Sequence, residues 1–331
     1  MAPVLQHHPD LSQIHILQAD KEKELLDKLK VLGFDAVIDL HSNWRTLMWK
    51  FQLAPPGSGI PFLRFRKNNV QKWWTVQTKR KPSRYLHTVE KYEKMLKSWD
   101  IQDDGQGLDW AFDPSLGSKP NEISFLKQEF GWDPDQQVTA IALGAHHATK
   151  CLPKDQLIAL CHLLEGPILL LGGSQDKDLA EQLIENLDRK DIAHGCGRCT
   201  LQQSAKVLSE CTCLITPDTG LMHIGAALRI KLFVIWGNTI PEFGMHPWLP
   251  NHAGRPLRSM TQQAETLQSA NASSMADLHL PEHFEVEVSC RPCSKLGHPS
   301  CPQGHFQCMM GHDVHRIAEA VQRYRLSCAN P

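Results

Sequence analysis

The chain contains no apolar run approaching the ~20 residues that a membrane-spanning helix requires, so it is not predicted to cross a membrane. Its opening residues, MAPVLQHHPDLSQ, lack both the basic cap and the apolar stretch of a secretory signal, and a cytoplasmic protein is expected. No internal repeat or low-complexity tract is present, which leaves ordinary globular architecture. Acidic residues are missing from Arg45 to Arg84, a stretch that holds ten Lys or Arg. An anionic ligand is expected beside that stretch; the plain alternative is a solvated basic face.

At 331 residues the chain is long enough for two domains, because a single core usually stops growing at about 250 to 300 residues. Hydrophobic residues make up 41% and charged residues 21%, a globular profile with a formal net charge of -1. Eleven cysteines in a chain of this length are too dilute for a disulfide scaffold, so reduced thiols are expected.

The segment FDAVIDLHS (34–42) reads as a buried parallel strand running into a polar loop. HTVEKYEKMLKSW (87–99) has helical spacing and is broken by Asp103, Asp104 and Gly105, which suggests the end of a first domain. From residue 138 onward, strand-like and helix-like periods alternate: VTAIALGA, PILLLGG, CLIT and KLFVIWG are separated by amphipathic segments. Such a βα series predicts a parallel sheet covered on both faces, with ligands beyond the carboxyl ends of its strands.

Two loops at those ends carry the candidate chemistry. In CLITPDTGLMHIGAALRIKLFVIWG (213–237), a Pro-Asp-Thr-Gly turn delivers backbone N–H groups at a helix N-terminus. Unpaired donors and the positive end of the helix dipole suit phosphate, Gly220 permits close approach, and the Thr219 hydroxyl adds a donor. Asp218 suits sugar or ribose hydroxyls instead. The plain alternative is that Asp218 and Thr219 only cap the helix. In GAHHATKCLPKDQL (144–157), Thr149 and Lys150 follow a strand and precede a helix, where a hydroxyl and an ammonium can hold a diphosphate.

Together TPDTGLMHIGAAL, the GAHHATK loop, GGSQD (172–176) and FDAVIDLHSNWRT resemble glycosyltransferase family 9, the ADP-heptose:lipopolysaccharide heptosyltransferases. WGNTIPEFGMHPW (236–248) and CRPCSKLGHPSCPQGHFQCM (290–309) resemble a Bacteroidetes-like version. The resemblance implies an α/β fold of GT-B architecture, with two Rossmann-like domains facing a cleft. By motif, the donor ligands would be Thr149, Lys150, Asp218, Thr219, Gly220, Leu221 and His223, with Lys150 stabilising the leaving group. It divides the chain into an acceptor-side domain (1–125), a donor domain with a cysteine-rich tail (126–311) and a C-terminal helix (312–331) packing back on the first domain.

Family members usually open with a strand and an Ile-Gly-Asp loop whose aspartate is the expected base. Neither is found here, so the first domain is expected to be N-terminally incomplete and the base is unassigned. Asp39 and His41 are poor substitutes: a carboxylate within a strand usually serves hydrogen bonding, and exposed histidines are common among 18.

The function expected is inverting transfer of heptose or a related sugar from an ADP-sugar to an anionic lipopolysaccharide core acceptor, without an obligatory cofactor. A non-catalytic nucleotide-binding remnant is the alternative. Arg45, Arg64, Arg66 and Lys67 are the expected acceptor contacts, since guanidinium and ammonium groups hold carboxylate and phosphate. Nucleic acid is not an expected partner; peripheral contact with the inner membrane is. Cys290, Cys293, Cys301 and Cys308 could hold a structural zinc, although their spacing departs from two C-x2-C knuckles and reduced, packed thiols would serve equally.

Overall fold

The computed structural model describes residues 2–80, 85–116, 124–250 and 280–329. Lys81 and Arg84 of the basic stretch lie outside the described residues. So does 117–123, next to the expected division at 125.

The second unit is an all-parallel sheet of six strands in the order β5-β4-β3-β6-β7-β8. Its strands are β3 (Thr139–Ala142), β4 (Ile168–Leu171), β5 (Ile192–His194), β6 (Cys213–Pro217), β7 (Lys231–Trp236) and β8 (Glu282–Glu285). The four central strands, β3, β4, β6 and β7, are buried at every position, which is why they read as continuous apolar runs rather than alternating ones. Side chains nevertheless alternate between faces. Ile141, Leu170, Ile215 and Phe233 join one apolar cluster, while Ala140, Leu169, Leu214 and Val234 join the other. A fully buried Leu or Ile contributes about 2 kcal/mol to such a core.

Helices complete both layers. The first six are α1 (Ala2–Leu5), α2 (Glu22–Leu32), α3 (Trp44–Leu53), α4 (Asn69–Thr78), α5 (Thr88–Leu96) and α6 (Phe125–Phe130). They are followed by α7 (Lys154–Leu163), α8 (Lys177–Leu187), α9 (Leu201–Ser209), α10 (Gly220–Ala227), α11 (Gln307–Met310) and α12 (Val314–Ala329). Residues of α7, α8 and α12 bury against one face of the large sheet; those of α6, α9 and α10 bury against the other.

The C-terminal helix, expected to pack back on the first domain, buries its apolar residues in the second unit. Helix α12 packs on α7, and its Ile317, Val321 and Tyr324 enter the core of the second unit. Arg325 also bonds the Thr139 hydroxyl at 3.1 Å. The expected division at residue 125 is likewise not a clean one. Helix α1 rests on α9, Gln202 bonds the Pro3 carbonyl at 3.0 Å, and Trp110, Phe112 and Leu116 pack on the second unit's core.

Among the described residues, the first unit contributes a parallel pair, β1 (Val37–Asp39) and β2 (Phe62–Arg64), with Asp39 opposite Arg64. Helix α3 is capped by Asn43, whose side chain accepts from Thr46 N while the Thr46 hydroxyl accepts from Asn43 N, a reciprocal cap. Residues 86–88, at the start of α5, are laid against the loop after β7. His87 donates its Nε2 hydrogen to the His246 carbonyl at 2.9 Å and stacks on Trp248, and Thr88 N donates to the Gly244 carbonyl. Gly244 has φ +75°, and an added Cβ would strike the Leu86 carbonyl, so this crossing requires glycine.

Candidate functional site

The carboxyl ends of β3, β6 and β7 meet at one place, and the polar residues of three loops are linked there. Lys150, in a single 3-10 turn after β3, places Nζ 2.7 Å from Asp218 Oδ2, just beyond β6. Thr239, after β7, donates its hydroxyl to the same oxygen at 3.0 Å. Both members of the ion pair are largely withdrawn from solvent, with side-chain exposures of 14% and 11%. Lys150 is thereby brought to Asp218 of the Pro-Asp-Thr-Gly turn.

The helix-capping alternative finds no side-chain cap bond at Thr219. Thr219 occupies the N-cap of α10 with extended backbone, yet its hydroxyl makes no capping bond and lies 3.4 Å from the Thr216 hydroxyl. The first-turn amides of α10 are therefore left without a side-chain cap, as an anion seat requires. A Cβ built on Gly220 would meet nothing within 4 Å, so that flank of the turn is open. Leu221 is partly buried. His223 has its pKa lowered, first by burial and further by Lys150, with Asp218 opposing; it is held neutral.

Thr149 is not free for a ligand. Its hydroxyl donates to the His298 carbonyl at 3.1 Å and accepts from His298 N at 2.8 Å, and its side chain is buried. The cysteine-rich tail grips the neighbouring loop as well. Arg291, between Cys290 and Pro292, directs its buried guanidinium at the Gly237 and Thr239 carbonyls and pairs with Glu285 at 2.7 Å. A Cβ at Gly237 would press into both Thr149 O and Met309 Sδ at 2.6 Å, so the loops touch without room for a side chain. Sequence reasoning singled out the tail's cysteines, with His298 only as a histidine near them, and passed over Arg291 and Thr239. The arginine of CRPC was the available signal.

Cys290 Sγ lies 3.7 Å from His305 Nε2, and Cys308 has its thiol pKa pushed up to about 11 by burial, with Cys293, Cys290 and Cys301 adding to the effect. Among the described residues no three His, Cys, Asp or Glu groups stand where they could hold a metal.

The basic stretch is divided. Arg64 Nε is 3.3 Å from Asp39 Oδ2, and its Nη2 donates to the Asn43 carbonyl at 2.9 Å. Asp39, buried, also accepts from His41 N, Ser42 N and the Thr46 hydroxyl, which is the hydrogen-bonding role expected of it. Arg45 stands 3.6 Å from Glu22. Arg66 and Lys67 are exposed. Lys72, not singled out from sequence, lies over the Phe243 ring at 5.4 Å, and burial with the Lys91 charge lowers its pKa to about 8 against the pull of Asp218.

The sheet order defines a Rossmann-type α/β unit, with an uncapped turn beside a lysine at its strand ends. Glycosyltransferase family 9 (heptosyltransferase) matches residues 23–272, and the chain belongs to that family. It is 29% identical over 159 residues to lipooligosaccharide heptosyltransferase 2 of Haemophilus influenzae, covering 40% of this chain and 46% of that protein. To lipopolysaccharide heptosyltransferase 2 of Escherichia coli it is 28% identical over 167 residues, covering 48% and 46%. The matched stretch thus spans just under half the length of these curated relatives. The structure of E. coli ADP-heptose lipopolysaccharide heptosyltransferase II superposes with a TM-score of 0.63 at 17% identity, over 98% of this chain and 86% of that one. A family 9 glycosyltransferase from Veillonella parvula gives 0.60 at 16%, over 82% and 78%. The architecture is accordingly GT-B.

Proposed function

We propose that the chain transfers heptose or a related sugar from an ADP-sugar to an anionic lipopolysaccharide core acceptor, with inversion and without an obligatory cofactor. The observation that carries the reading is the Lys150–Asp218 pair beside the uncapped first turn of α10. A diphosphate entering this turn would accept hydrogen bonds from the free amides and draw the Lys150 ammonium from Asp218. The released carboxylate would then accept from a sugar hydroxyl. As the acceptor oxygen bonds to the anomeric carbon, the bond from that carbon to the β-phosphate oxygen breaks. The charge left on ADP falls where Lys150 and the amides already stand, and such preorganised donors are commonly the largest catalytic contribution. The base that takes the acceptor proton is not among the residues assigned here.

Names of relatives support the substrates: the E. coli structure is that of an ADP-heptose lipopolysaccharide heptosyltransferase, and the E. coli relative is lipopolysaccharide heptosyltransferase 2. Calorimetry of the whole chain with ADP and ADP-heptose tests the reading. Lys150→Ala should weaken ADP about tenfold or more, the scale of a charge-assisted hydrogen bond. Asp218→Ala should weaken the ADP-sugar more than ADP. Unchanged affinities in both variants would remove the site.

A further inference from the structure

Helix α4 is inside out. On a helical projection Val70, Trp73, Trp74 and Gln77 share one face, whereas Lys72 and Thr75 lie on the other. A helix on a soluble surface would turn the first set inward. Here Val70 is 79% exposed, Trp73 56% and Trp74 58%, while Thr75 is buried and bonded to the Tyr85 hydroxyl at 2.8 Å and Lys72 faces the Phe243 ring. The helix is held from its polar side, so the apolar face stays outward. Cations stand at both of its ends: Arg66 and Lys67 precede it, Arg80 follows it, and all three are exposed. No Asp or Glu occurs between Arg45 and Arg84 to oppose them.

We propose that the outer face of α4 is a membrane-docking surface that seats on an anionic bilayer. Two adjacent tryptophans and a valine supply the apolar contact, and the amphipathic indole ring favours the headgroup boundary. Arg66, Lys67 and Arg80 meet the negative lipid headgroups, and this charge complementarity selects a lipid surface over a second copy of the chain, which would set the same cations against themselves. The proposal rests on the reading that the acceptor is lipid-linked, and it names the face that brings the protein to that lipid.

The test is co-sedimentation of the whole chain with phosphatidylethanolamine–phosphatidylglycerol vesicles and with phosphatidylcholine vesicles, across a salt series, for wild type and Trp73→Ser/Trp74→Ser. Both tryptophans are largely exposed, so the variant should fold; ADP affinity measured in parallel should be unaltered and confirms it. Wild type should bind the anionic vesicles at least about tenfold more tightly than the variant does. Binding should fall as salt shortens the screening length towards ~8 Å and below. Tryptophan emission should shift to the blue on binding in the wild type and much less in the variant. Equal vesicle binding by both proteins, or equal binding to phosphatidylcholine, overturns the proposal. So does concentration-dependent self-association that the variant loses without any vesicle binding, since the face would then belong to a second copy. Loss of ADP binding by both proteins would instead sink the proposed donor site and leave the vesicle result standing.

Discussion

The Thr149 hydroxyl and the His298 backbone bond each other reciprocally, at 3.1 Å from Oγ1 to the carbonyl and 2.8 Å from the amide to Oγ1. One residue precedes Lys150 and the other sits in the cysteine-rich tail, so the tail holds the Lys150 loop from behind. Thr149→Val keeps the shape and leaves the His298 amide without this partner, at a cost of about 1 to 3 kcal/mol. Thermal unfolding should show the loss, and calorimetry should show weaker ADP binding through a displaced Lys150. A variant with wild-type stability and affinity would show the latch to be idle.

Arg291 performs the same service for the loop after β7, and its planar fork reaches carbonyls that an ammonium cannot reach together. Arg291→Lys should destabilise the protein by about 2 to 4 kcal/mol, as expected when a buried paired charge loses its geometry. ADP-sugar affinity should fall with it, because Thr239 would no longer hold Asp218. A stable variant that has lost only sugar discrimination would confine Arg291 to positioning; no change in either measurement would contradict the assignment.

Arg64 and its neighbours should separate. Arg64→Gln strips the buried Asp39 of its cation and should lower stability. Arg66→Gln with Lys67→Gln, at exposed positions, should leave stability near wild type and weaken acceptor binding at low salt. Acceptor affinity that ignores the second variant would remove the exposed pair from the acceptor contacts.

Acid should weaken the fold through two histidines. His87 is lowered from the ordinary 6.5 to about 3 by burial, with the nearby His246 adding to it. His312 is lowered to about 4, also by burial. His87 Nδ1 accepts from Val89 N, so a proton there would displace a hydrogen bond. A depressed histidine binds its proton more readily unfolded, so this stability is complete above about 6.5 and drains as pH falls towards the folded values, by up to about 1.4 kcal/mol per pH unit and group. Denaturant midpoints between pH 7 and pH 4 should fall accordingly, with a shallower slope in His87→Asn. An identical slope in that variant would free His87 from the effect.

Zinc in the tail is a proposal that metal analysis decides. A bound ion would appear as close to one equivalent and vanish in Cys290→Ser with Cys293→Ser; a metal-free, stable wild type would leave the thiols as packing groups.

The periods of the sequence determined the βα alternation from residue 138 onward, because a strand buried on both faces must be apolar throughout and a covering helix apolar on one side. They also placed Lys150 and the Asp218–Gly220 turn at strand ends, since parallel connections carry every such loop to the same edge of the sheet. Which polar groups then pair across those loops was not legible. Thr149 with His298, Arg291 with the 237–239 loop, and Arg64 with Asp39 join residues 149, 52 to 54 and 25 positions apart respectively. Their partners are chosen by the crossing of loops in space, which no local period records. The same holds for α12: only its packing on α7 and against Phe233 of β7 decided where its apolar residues were buried.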